Sequence, residues 1–117
     1  MSTNSQIAFA PLGETIVVAA AAAAPAGIQA PVLTKFDAQS TGQYRFVNAG
    51  TNIVFIGTGA SAAEATANAV APIAGNPSPA IVMLPGAVEI LRFNKDTWFS
   101  GLAAAANTVY ITPGQGL

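Results

Sequence analysis

Apolar runs of about four to eight residues alternate along the chain with clusters of Gly, Pro, Asn and Ser, the punctuation of an all-β protein. The pattern predicts strands near Gln6–Ala10, Glu14–Ala20, Ile28–Phe36, Gln43–Asn48, Thr51–Gly57, Ala80–Leu84, Ala87–Phe93, Thr97–Leu102 and Thr108–Thr112. Asn48-Ala49-Gly50 offers residues tolerant of positive φ and predicts a tight hairpin between the runs that flank it. Pro85-Gly86 fits the two central positions of a type II turn.

Two stretches resist a simple reading. Ala19–Ala24 consists of the best helix former, yet it follows the β-branched Ile16, Val17 and Val18 and stops at Pro25. An extended strand or arm, whose small side chains let backbones approach closely, suits it better than a helix. Ser61 and Glu64 have capping-box spacing and predict a two-turn helix to about Val70, with a loop lying on the sheet as the alternative.

Several strands are apolar on both faces. Ile53 and Phe55 point one way and Val54 and Ile56 the other, while Val109 and Ile111 oppose Tyr110. A single sheet would leave one set in water, so the pattern predicts an all-β fold of two packed sheets. The expectation is a β-sandwich of about eight or nine short strands, with a jelly roll among the candidates. Residues 1–31 read as an extended N-terminal arm with the first strands, and 32–117 as the sandwich core of one domain.

Composition narrows the function. Of 117 residues only 8% are charged, with a net charge of −1, and 26 are alanine. An ordinary soluble domain carries about 25% charged residues. A surface built from amide, hydroxyl and alanine repels itself weakly and is cheap to desolvate against a partner, a property of assembly subunits. Four basic side chains cannot neutralise many phosphates, so nucleic-acid binding is not expected. The apolar run from Ile16 is short and broken by Pro25, and the first charge is the acidic Glu14, so neither a membrane span nor a secretory signal is expected.

Catalytic chemistry finds few candidates. The chain has no Cys and no His, which removes thiolate chemistry and the commonest general base and metal ligand. Gly57, Gly59 and Ala62 match a dinucleotide-binding G-x-G-x-x-A, but the region where an acidic ribose ligand would stand reads GNPSPA, so the glycines are expected to serve turns. The carboxylates of Glu14, Asp37, Glu64, Glu89 and Asp96 are spread evenly, without a calcium-type loop. No catalytic, metal or cofactor residue is therefore expected. Trp98 and Phe99, being adjacent, should face opposite sides of a strand, one in the core and the other free to anchor a partner.

In order, FVNAGTNIVFIGTG, GNPSPAIVMLPGAVEIL and NTVYITPGQG, covering roughly Tyr44 to Gly116, resemble segments of a group of small virion proteins of tailed bacteriophages. The resemblance implies a capsid-associated β-sandwich, most plausibly a decoration or cement protein on the head exterior that bridges subunits of the major capsid protein and is made in the host cytoplasm. A neck or tail adaptor or fibre-associated protein is the nearest alternative, and a carbohydrate- or receptor-binding module using Trp98, Phe99 and Tyr110 is a third. An arm adding a strand to a neighbour's sheet would give a dimer or trimer of identical chains. The residues expected to carry interactions are Ile16, Val17, Val18, Trp98, Phe99 and Tyr110; no cofactor, nucleic acid or membrane is expected.

Overall fold

A computed structural model describes residues 10, 11, 13–29, 41–94 and 96–115. These residues form nine strands and one helix: β1 (Ala10–Pro11), β2 (Ile16–Ala20), β3 (Ile28–Gln29), β4 (Thr41–Asn48), β5 (Val54–Gly59), α1 (Ala62–Asn68), β6 (Ile81–Met83), β7 (Val88–Asn94), β8 (Trp98–Ala103) and β9 (Asn107–Gln115). Each expected strand has its counterpart in order. Most of the strand expected at Gln6–Ala10, and that at Ile28–Phe36 beyond Gln29, lies outside the described residues.

All strands join two antiparallel sheets. Sheet A runs β1-β9-β4-β7, with β2 on the same side of β9 as β1: Ala10 opposes Gln115 and Ile16 opposes Ile111. Sheet B runs β3-β8-β5-β6. The pairs β2·β9, β3·β8, β4·β7 and β5·β6 are nested, as if one long hairpin had been wound into two layers. This is the strand order of an eight-stranded jelly roll, so the all-β sandwich expected from the pattern is the fold.

Pleating sorts the side chains. Val18, Tyr44, Phe46, Val109 and Ile111 of sheet A meet Val54, Ile56, Met83, Phe99 and Ala103 of sheet B in one core. At its centre Phe99 lies edge-on to Tyr44, Phe46 and Phe93, with ring centroids 5.4, 5.5 and 5.5 Å away, a favoured aromatic geometry. Gly101 keeps β8 close to β2, since a Cβ there would lie 3.1 Å from the Ala20 methyl. Ala20 thus allows the close approach expected of the run.

The described part of residues 1–31 packs against the rest of the chain. β2 is paired with β9 over five residues, and Val18 and Ala20 are each 1% exposed, so this part of 1–31 belongs to the sandwich. The chain then follows the edge of β8: Ala103 N donates to Ala21 O, Ser100 Oγ donates to Pro25 O, and Ile28 opposes Phe99. The expected boundary at residue 31 lies outside the described residues.

Both turns link the two sheets rather than two strands of one hairpin. Asn48-Ala49-Gly50 carries the chain from β4 in sheet A to β5 in sheet B, and none of the three has positive φ. The expected tight hairpin is absent because the Asn48 side chain organises the crossing: its Oδ1 accepts from Gly50 N at 3.1 Å. At Pro85-Gly86 the type II turn is present, with φ +78 at Gly86 and Ala87 N donating to Leu84 O at 3.0 Å, but it joins β6 to β7 across the sandwich.

The helix forms as the capping box predicts. Ser61 Oγ accepts from Glu64 N, and Glu64 Oε1 reaches back to Ala60 N, each at 3.2 Å. α1 packs on the outer face of sheet B, and there Gly57 and Gly59 find their use. A Cβ at Gly57 would stand 2.3 Å from Ala65 O and Ala69 N, and one at Gly59 would stand 2.7 Å from Glu64 Cβ. They are strand glycines that let a helix backbone lie flat on the sheet, not the turn residues expected.

Candidate interaction surfaces

The six residues expected to carry interactions divide by the pleat. Val18 and Phe99 are core, at 1% and 0% exposure, and Ile16 is half-buried against that core. These three point inward, and Phe99 fills the centre of the aromatic cluster, so none of them presents an anchor to a partner. Trp98, opposite Gly59 and Gln29, is half-buried on the outer side of sheet B. Val17 and Tyr110, 45% and 42% exposed, lie directly opposite one another on the outer face of sheet A. Trp98 and Tyr110 therefore face opposite sides of the sandwich and build no common stacking platform.

Register extends the Val17–Tyr110 pair into a row. Tyr110 opposes Val47, and Val47 opposes Val88, so four apolar side chains from β2, β9, β4 and β7 cross the full width of sheet A. One row on, Thr112, Arg45 and Ile90 continue the face, and Thr15 Oγ1 and Thr112 Oγ1 hydrogen-bond at 2.7 Å. Val88 and Ile90 are each 49% exposed. Neither was singled out in the sequence, because only the register shows which residues of four separate strands stand side by side.

Sheet B has a second apolar surface, beyond the reach of α1. Phe55 is flanked by Val82 on β6 and Leu102 on β8. Val82 is 48% exposed, and Ile53 and Leu84, whose inward neighbours Val54 and Met83 are paired, are 41% and 59% exposed. The both-face apolar character of β5 thus has two destinations, the core for Val54 and Ile56 and this outer patch for Ile53 and Phe55.

A cleft of about 690 Å³ lies where α1 and the end of β5 approach β7 and the β7–β8 turn, lined in part by Glu64, Asn68, Arg92, Phe93, Asp96 and Thr97. Its polar groups serve the fold: Asn68 Nδ2 donates to Thr58 O, Thr97 Oγ1 donates to Asn94 O, and the Glu64 carboxylate caps the helix. Glu89 and Arg92 lie on opposite faces of β7, opposite Phe46 and Gln43 respectively. Among the described residues no group of three carboxylate, His or Cys side chains could hold a metal ion, and no helix is long and apolar enough to cross a membrane. Compared with protein-family models, curated proteins and solved structures, the chain gives no match.

Proposed function

We propose that this chain is a non-enzymatic structural protein that acts by docking its outer sheet faces on neighbours, and that its setting is the exterior of a bacteriophage head. There it would cement the shell by bridging major capsid subunits. The observation that carries this reading is the row Val17–Tyr110–Val47–Val88, which lays one apolar band from edge to edge across the outer face of sheet A. Isolated surface hydrophobics are ordinary; a contiguous apolar band across a rigid sheet is a feature of interaction surfaces. Fully burying a Val or Ile side chain contributes about 1.5–3 kcal/mol, and half of that remains to be gained at each half-exposed position.

The scarcity of charge supports the same reading, since few ions need be desolvated when such a face is covered. The jelly roll is used by viral capsid proteins, but also by lectins and cupins, so fold analogy alone does not choose among them. The ordered segments resembling small virion proteins are what favour the phage head. In this reading the chain engages protein, and no nucleic acid, membrane or cofactor.

The test is a count. Virions carrying this chain are purified and its copy number is measured against the major capsid protein by quantitative mass spectrometry. A number comparable to the shell protein is expected. A handful of copies would move the protein to the neck or tail, and absence from the particle would end the virion reading.

A further inference from the structure

Beyond the part of sheet B that α1 covers, the outer faces of the two sheets differ in charge. The face of sheet A carries Arg45 in its middle, beside Thr112 and Ile90. The patch on sheet B, made of Ile53, Phe55, Val82, Leu84 and Leu102, carries none. The sequence around it is equally bare: no Asp, Glu, Lys or Arg occurs between Arg45 and Glu64, between Glu64 and Glu89, or after Asp96. The connection from α1 to β6 belongs to this neutral stretch and adds two exposed apolar side chains, Val70 at 49% and Ile73 at 65%.

Charge decides which face can meet itself. In a two-fold interface the same patch is used on both subunits, so side chains near the axis approach their own counterparts. A central arginine would be brought toward a second arginine in a partly dry contact, and like charges so placed cost several kcal/mol. A patch without charge meets its copy at no such cost, and two twisted sheet faces pack well when their strands cross at about 30°. From this we propose that the outer patch of sheet B is the contact between two copies of this chain, an isologous dimer centred on Phe55 and Val82.

The dimer leaves both copies of the sheet A face uncovered, on opposite sides of the pair. A dimer with two such faces is bivalent and would join two neighbours. The inference itself needs only the sheet B patch and stands apart from the phage setting: copy counting tests that setting, and hydrodynamics tests the dimer.

The experiment is analytical ultracentrifugation of the purified full chain over a concentration series. A reversible monomer–dimer equilibrium is expected, with the dissociation constant raised at least about tenfold by Leu84→Asp and unchanged by Arg45→Glu. Leu84 is more than half exposed, so the aspartate removes little of the core. A second measurement covers the case in which that variant misfolds. The chain has no cysteine, so Val82→Cys places a single thiol in the proposed interface, and a short bismaleimide should couple it into dimers while leaving Val17→Cys uncoupled. A chain that stays monomeric throughout overturns the proposal. So does a trimer, or a dimer that Arg45→Glu weakens and Leu84→Asp does not.

Discussion

The side-chain amide of Asn107 donates to Oδ1 of Asn48 at 2.6 Å, and the two residues are 7% and 0% exposed. They sit where β4, β5, β6 and β9 come together. Asn48 Nδ2 reaches Asn52 O, Met83 O and Leu84 O, while Asn107 Oδ1 accepts from Asn52 N. Gly50 lets the Asn107 side chain in, because a Cβ there would overlap it. Buried amides that satisfy one another in this way fix how the two sheets are joined at one end.

Removing one partner leaves the others dry and unsatisfied. Asn48→Ala strands two carbonyls at the end of β6 and the Asn107 amide, and should cost about 2–3 kcal/mol. Urea unfolding should show a lower midpoint with an unchanged slope. An Asn48→Ala chain as stable as the parent would mean that water replaces the network at no cost.

The strands were legible in the sequence, and the sheets were not. Alternation marks a strand by its own residues, and the seven expected strands that lie within the described residues are present with boundaries shifted by a few positions. The partner of a strand is set by long-range packing. Asn48-Ala49-Gly50 was expected to close a tight hairpin, and nothing local marks it or Pro85-Gly86 as a crossing between layers, yet both cross the sandwich. The candidate surface was legible in two of its members: Val17 and Tyr110 were visible as apolar residues on strands, but Val47 and Val88 join them only through register. Gly57 and Gly59 misled for a similar reason, since nothing local tells a glycine that turns the chain from one that admits a helix.

That difference between glycines can be measured. Gly57→Ala would force a methyl against the backbone of α1 and should destabilise by about 2–3 kcal/mol, as overpacking does. Gly86→Ala meets open space but must keep φ +78. The expected cost there is smaller, about 1–2 kcal/mol of backbone strain. Equal losses at the two sites would contradict the tight helix contact.

Tyr44 gives the fold a dependence on alkaline pH. Burial raises its phenol above the ordinary 10.0, and the Asp96 carboxylate adds to the shift. The folded state therefore holds this proton more tightly than the unfolded state does. The corresponding stability is complete below the unfolded value and is lost as pH rises through the folded one. Stability measured across the alkaline range should fall more steeply for the parent than for Tyr44→Phe, which has no proton to lose. Parallel curves would show that Tyr44 does not contribute.

Val17 and Val18 are neighbours on β2 with opposite roles, and they test whether this segment is arm or core. Val18→Asp puts a carboxylate into the dry space between the sheets, where an unpaired charge costs several kcal/mol, a large part of the roughly 5–15 kcal/mol that holds a small domain folded. Cooperative thermal unfolding should be lost or strongly shifted. Val17→Asp faces solvent and should change stability by no more than about 0.5 kcal/mol, while reducing attachment if the sheet A face is the docking surface. Deleting residues 1–31 follows the same logic: it removes β2 and leaves one side of β9 unpaired, so the truncated chain should lack the near-ultraviolet circular dichroism of a packed aromatic core. A truncated chain that kept that signal and a sharp transition would restore the arm and require another account of why Val18 is buried.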